Sequence, residues 1–357
     1  VSQSTNPPLP LAVRAQRALL RGVGKIPAPV TAPLRRIGTK NSAGDRIDPL
    51  VAVVGLAAAT VPALDMYDED PAVARRKLDM ATAMTAPAFP PFEVDEDLVI
   101  DGPGGQIPAT RYRATRESRG LVVLFHGGGW TIGSRASHDS MARNLAVDAG
   151  VDVLSVEYRL APENPFPAAV DDALAAWHYA VDHAAQWGLD VHKIAVAGDS
   201  AGGNLAAVVA QQTRTGERGE SPVVPAYQLL IYPAVDLAGH TPSYDEFATG
   251  RFLTRRHMDW FVDSYVPDEA QRKDPLASPL RAPDLSGLPP AHIVVAGFDP
   301  LRDEGLAYAD ALRASGVPVT VDRVGPMIHG FFGLTALSPV ARESARRAAA
   351  AVAQALA

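Results

Sequence analysis

Five residues carry the most chemistry in this sequence: Gly198-Asp199-Ser200-Ala201-Gly202, which close a short apolar run and open an Ala/Leu/Val-rich stretch. Such a pattern is a strand turning directly into a helix. The residue at the corner is held in a strained backbone conformation, and glycines two positions to either side make room for it. Ser200 Oγ is thereby lifted clear of the chain. The next amide, Ala201 N–H, falls at a helix N-terminus, where it can face developing negative charge.

A serine hydroxyl is a weak nucleophile at neutral pH, so an imidazole must take its proton and a carboxylate must orient that imidazole. The histidines downstream of Ser200 are His240, His257, His292 and His329. His292 opens an apolar run, and His240 and His257 lie in a polar, aromatic-rich stretch. His329 follows the last strand-like run in a glycine-flanked loop, the best place for a base. Asp299 stands at the carboxyl end of the run beginning at His292, the matching place for the carboxylate. Its neighbours Asp303 and Glu304 read as first-turn residues of the next helix, where the helix dipole favours negative charge. The tetrahedral oxyanion needs amides free of side-chain obstruction. His126-Gly127-Gly128-Gly129-Trp130 supplies them, and no Gly-Lys-Ser/Thr completes a phosphate loop anywhere in the chain. His126, which precedes the glycines, is expected to brace that loop by hydrogen bonding.

These residues need a scaffold that brings strand ends together. Compact apolar runs at 121–125, 151–158, 193–197, 227–232 and 292–296 are separated by amphipathic segments. Runs buried on both faces imply a parallel sheet with helices on both sides, and ligands in such sheets bind at the carboxyl ends of the strands. The run at 319–324 alternates apolar and polar residues, as a strand nearer the sheet edge does, and an edge strand leaves pairing with a second copy open. Val170, Leu174, Trp177 and Val181 form one helical stripe closed by Gly188, a crossover helix. Residues 94–112 read as a hairpin turning at Gly102-Pro103-Gly104-Gly105, and the Ala-rich end from residue 341 reads as a terminal helix. Ahead of the hairpin, Ile47, Leu50, Val51, Val54 and Leu56, and then 71–83, have helical spacing outside the main sheet.

With 357 residues, 47% of them hydrophobic, the chain can bury a large core. Its net charge of -7 argues against a nucleic-acid partner. It has no cysteine, which excludes thiolate nucleophiles and cysteine-held metals, and no His/Asp/Glu cluster has metal spacing. No window reads as a membrane span or a secretory signal, so a cytoplasmic protein is expected. Residues 1–45 carry a net +6, leaving -13 on the rest. This basic leader is expected to be a solvated or loosely packed extension, with peripheral contact to an anionic membrane left open.

Taken together, His126-Gly-Gly-Gly-Trp130, Tyr158-Arg-Leu-Ala-Pro-Glu-Asn-Pro-Phe-Pro167, Gly198-Asp-Ser-Ala-Gly-Gly203, Asp299-Pro-Leu-Arg-Asp-Glu-Gly305 and His329-Gly-Phe331 resemble the bacterial hormone-sensitive-lipase-like carboxylesterases. The likeness covers residues 46–357. It implies an α/β-hydrolase fold, with a mostly parallel sheet under a helical cap. The cap would be built from N-terminal helices within 46–91 and from an insertion at 236–285 in the catalytic domain of 92–357. It also implies a Ser200 nucleophile, Asp299 orienting His329, and oxyanion donors on Gly128, Gly129 and Ala201. Trp130 and Asp199 are expected to touch substrate, and Phe247, Phe252, Trp260, Phe261 and Tyr265 either line an acyl pocket or pack the cap. The implied activity is hydrolysis of small carboxylic esters of short to medium chain, with neither metal nor organic cofactor. Lipase, amidase and acyltransferase activities share such a triad. A non-catalytic receptor of the same fold would lack the histidine that stands here at His329. Members of this family are often dimers.

Overall fold

The protein is described here by a computed structural model covering residues 39–52, 70–215, 223–250 and 252–357. Most of the leader, together with Val54 and Leu56, lies outside the described residues.

Eight strands form one sheet in the order β1-β2-β4-β3-β5-β6-β7-β8. They are β1 (Val94–Gly102), β2 (Gly105–Arg113), β3 (Leu121–Phe125), β4 (Asp152–Val156), β5 (Ile194–Asp199), β6 (Tyr227–Ile231), β7 (Ala291–Phe298) and β8 (Val319–Ile328). β2 runs antiparallel to both its neighbours, and every pairing from β4 to β8 is parallel. β3, β4, β5 and β6 are buried at every residue, which a parallel sheet covered on both faces requires. Alternate side chains of β3 serve two cores. Leu121, Val123 and Phe125 join one, while Val122 and Leu124 join the other.

The first core is closed by three helices: α3 (Ala168–His183), α4 (Ala201–Thr215) and α7 (Arg302–Ala314). The second is closed by α2 (Asp139–Ala149) and α8 (Pro339–Ala355). The stripe Val170, Leu174 and Trp177 of α3 is buried as its spacing predicts, and Gly188 ends the segment in the left-handed conformation. α1 (Pro71–Thr85) precedes the sheet, and the insertion between β6 and β7 carries α5 (Pro242–Glu246) and α6 (Arg255–Tyr265). Among the described residues, no helix is long and apolar enough to cross a membrane.

The described end of the leader is mostly exposed and is tied to the domain at a few polar residues. Asn41 is buried and donates from Nδ2 to Gly297 O at 2.9 Å, and Asp45 pairs with Arg323 of β8. Ser42 Oγ donates to Glu246 Oε2 at 2.7 Å. Polar side chains here find partners on β7, β8 and the insertion, which anchors Asn41, Ser42 and Asp45 while Thr39, Lys40, Ala43 and Gly44 stay exposed.

Candidate active site

β5 ends at Asp199 and α4 begins at Ala201, leaving Ser200 alone at the corner with φ of 55°. A non-glycine residue in that region stores strain. Two contacts hold it there: Ser200 N donates to Ile231 O at 2.8 Å, and Ser200 O accepts from Asn204 N at 3.0 Å. The flanking glycines are required by proximity. A Cβ on Gly198 would run into the Gly202 backbone, and one on Gly202 into Phe125 O.

β7 ends at Phe298 and β8 at Ile328, so Asp299 and His329 both emerge at the carboxyl edge beside Ser200. The structure brings the three side chains into one hydrogen-bonded line. His329 Nε2 lies 2.9 Å from Ser200 Oγ, and His329 Nδ1 lies 2.8 Å from Asp299 Oδ2. Asp299 is fully buried, and its other oxygen accepts from Leu301 N at 2.9 Å. The rival groups are occupied elsewhere. Asp303 accepts from Ser243 N and Glu304 from Val235 N, while His240 pairs with Asp245. His257 caps α6 and His292 bonds Thr320.

The glycine loop after β3 is aimed by its carbonyls. A peptide is planar, with C=O and the following N–H pointing in opposite directions, so holding one end fixes the other. Gly127 O is 2.8 Å from His126 Nδ1, which sets the direction of Gly128 N–H. Gly128 O accepts from Thr131 N at 3.1 Å and Ile132 N at 2.9 Å, which sets Gly129 N–H. Ser200 O, held by Asn204 N, sets Ala201 N–H in the same way. Among the described residues none of these three amides has a hydrogen-bond acceptor. Gly127 N–H, by contrast, is taken by Asp199 Oδ1 at 2.8 Å. His126 stacks on Tyr158, whose O–H donates to His126 O at 2.6 Å; burial holds the imidazole neutral, its pKa pushed down to about 4.

Two residues expected to touch substrate are placed differently. Trp130, with φ of 56°, is completely buried and stacks on Tyr265 of α6 with ring centroids 4.4 Å apart. Asp199 is also buried, turned toward the glycine loop and His138. Neither side chain faces open space; Tyr265 covers one and the Gly127 loop covers the other. Of the insertion's aromatics, Phe261 packs directly over Gly129, whereas Phe247 lies against Phe298 and Arg302. Phe252 packs on the second core.

Sequence reasoning missed His138 and Arg75. His138 Nε2 is 3.2 Å from Asp199 Oδ1; burial opposes its charge, yet the Asp199 carboxylate, with Ser134 O and the Glu157 charge, outweighs this and raises its pKa. Arg75 of α1 donates to Thr131 O and Ala161 O, both at 2.9 Å, and pairs with Glu163 at 2.7 Å. Neither lies in a short motif that carries a mechanism.

A family model described as the alpha/beta hydrolase fold matches residues 122–333. Carboxylic ester hydrolase LipN of Mycobacterium tuberculosis is 44% identical over 295 residues, 82% of this chain and 78% of that protein. Carboxylesterase NlhH of the same organism is 41% identical, covering 75% and 84% respectively. Among solved structures, a hyperthermophilic esterase from the archaeon Pyrobaculum calidifontis superposes with a TM-score of 0.79 at 39% identity, over 87% of this chain and 99% of that one. With its sheet order, its serine corner and these relatives, the chain belongs to the α/β-hydrolase fold family, among the hormone-sensitive-lipase-like carboxylesterases.

Proposed function

We propose that this carboxylesterase hydrolyses short- to medium-chain carboxylic esters through an acyl-enzyme on Ser200. The observation that carries the reading is the line from Ser200 Oγ through His329 to buried Asp299, and the amides of Gly128, Gly129 and Ala201, which have no acceptor among the described residues, support it. Ser200 Oγ attacks the ester carbonyl while His329 Nε2 takes its proton, and Asp299 accepts from Nδ1–H and steadies the imidazolium. The carbonyl oxygen becomes an oxyanion held by the amides of Gly128, Gly129 and Ala201. His329 then protonates the departing alcohol, and water releases the acid by the same route. Every group involved belongs to this chain.

The cap in this reading consists of the helices within 46–91 and the insertion at 236–285. Both segments meet the glycine loop: α1 through Arg75 on Thr131 O and Asp79 on Ser134 Oγ at 2.7 Å, and α6 through Phe261 over Gly129. Phe261 then forms a wall above the oxyanion site and limits the acyl chain. Trp130 and Asp199 act by holding the loop.

Hydrolysis of p-nitrophenyl esters from acetyl to palmitoyl tests this, with wild type beside Ser200→Ala and His329→Ala. Turnover of acetyl to octanoyl esters that disappears in both variants is the expected result. Turnover that survives Ser200→Ala, or a preference for palmitoyl, overturns it.

A further inference from the structure

Asp199 occupies an unusual position for a carboxylate, buried beside the nucleophile with no open space in front of it. One oxygen accepts Gly127 N–H at 2.8 Å and lies 3.2 Å from His138 Nε2, which is itself 3.2 Å from Gly127 N, while the other oxygen is 3.5 Å from Tyr232 Oη. A buried carboxylate keeps its charge only with a partner or several donors. Burial opposes ionisation of Asp199, but His138, His329 and the Gly127 N–H together outweigh it and hold the carboxyl below the usual carboxylate range.

His138 is itself fixed. It precedes α2, its Nδ1 lies 2.9 Å from Ser137 Oγ, and the Ser134–Ser137 turn closes on itself through reciprocal side-chain bonds at 2.9 and 3.0 Å. Thus α2 presents an imidazole to Asp199, and Asp199 presents a carboxylate to Gly127. The Gly127 residue is then clamped on both sides, N–H by Asp199 and C=O by His126. Gly128 N–H belongs to the second of those two peptides, so its direction depends on both clamps.

We infer that His138 is a positioning residue for the oxyanion hole: it holds the Asp199 carboxylate against Gly127 N–H and so aims Gly128 N–H at the tetrahedral oxygen. This rests on the proposed role of Ser200 and of the Gly128 amide, and it adds a residue that never touches substrate. A donor aimed at where charge develops contributes to the transition state and little to ground-state binding. Loss of His138 therefore acts on kcat and on affinity for analogues that carry an oxyanion.

The test compares His138→Ala and His138→Phe, which remove the donor by truncation and by an apolar ring of similar size, with His138→Gln, which retains a donor. Each is assayed for kcat and KM on p-nitrophenyl butyrate and for inhibition by an alkyl trifluoromethyl ketone, whose adduct with serine carries the oxyanion. The expected result is a fall in kcat of about 10- to 100-fold in the Ala and Phe variants, less than the roughly 10²- to 10³-fold lost when an oxyanion donor is removed outright, because the Gly128 amide is misdirected and not deleted. Ketone affinity falls by a similar factor, KM stays within about threefold, and the Gln variant recovers most of the loss. If either folded variant keeps its kcat and ketone affinity, or loses activity only in proportion to unfolded protein, the inference is overturned. Ser200→Ala run alongside separates the two readings. Activity surviving in it defeats the assignment of the nucleophile, whereas an inactive Ser200→Ala with unaffected His138 variants defeats the role of His138 alone.

Discussion

Gly129 and Phe261 occupy the same space up to the last methyl group: a Cβ on Gly129 would run into the Phe261 ring. The glycine is thus fixed by its neighbour on α6 as well as by its φ of 58°, a value that alanine tolerates at a cost of ~1 kcal/mol. Gly129→Ala must push Phe261 away or swing the loop, and a swung loop misdirects an oxyanion amide. A fall in kcat of about 10²-fold is expected, with the melting temperature reduced by only a few degrees. Adding Phe261→Ala should return part of the rate, because it removes the Cγ and Cδ atoms that collide and leaves the tolerable φ. Steady-state kinetics of the single and double variants measure both effects.

Asp299→Asn keeps the bond from Leu301 N, since the amide oxygen can replace Oδ1. The amide nitrogen then faces His329 Nδ1, where it can only donate, and a neutral imidazole with Nδ1 accepting must carry its proton on Nε2. That tautomer cannot take the proton of Ser200. A loss in kcat on the order of 10⁴-fold is expected, with fold and KM nearly intact. Labelling of Ser200 by an organophosphonate should slow in parallel, and an unchanged labelling rate would contradict the orienting role.

What the sequence made legible was whatever depends on local chain geometry. Ser200 was readable because a strand-to-helix corner needs glycines at fixed offsets, Asp299 because it stands at the carboxyl end of an apolar run, and His329 because it lies between glycines after the last strand-like run. Residues 319–324 read as a strand, and β8 extends to Ile328 because Phe298 of β7 still pairs with Ile328 beyond an irregular register. The orientation of a side chain beneath another segment is a different matter. Trp130 and Asp199 are adjacent to the reacting groups in sequence, yet Tyr265 covers one and the Gly127 loop covers the other, each arriving from elsewhere in the chain. His138 and Arg75 were missed for the same reason: their roles arise from tertiary pairing.

Glu304 sits in the first turn of α7 as its sequence position implied, but it is buried, and burial pushes its carboxyl up to about 8. The unfolded chain releases this proton near the ordinary value of 4.5, so between about 4.5 and about 8 the folded state binds more protons. Stability therefore falls as pH rises through that window and levels off above it. Glu304→Gln removes this contribution while keeping an acceptor for Val235 N, which bonds Oε1 at 2.7 Å. The variant should match wild type near pH 5 and exceed it above pH 8 by up to ~4 kcal/mol. Urea unfolding of both proteins from pH 5 to 9 reads the difference directly. Parallel curves would show that the carboxyl is ionised throughout.

Arg75 links α1 to the segments behind the glycine loop through two carbonyls, Thr131 O and Ala161 O, and through Glu163. The ion pair is half exposed on the Glu163 side and contributes little by itself. The two charge-assisted bonds to backbone carbonyls matter more, at ~1.5–3 kcal/mol each. Arg75→Met retains much of the aliphatic stem and removes all of these bonds. If α1 belongs to a cap over the active site, loosening it should raise KM by about 3- to 10-fold while kcat changes little, because bound substrate contacts weaken and the triad is untouched. Protease cleavage between residues 70 and 90 should accelerate in the variant and slow again when a phosphonate occupies Ser200. A KM that holds steady while cleavage accelerates would detach α1 from the substrate site and leave the insertion at 236–285 as the whole of the cap.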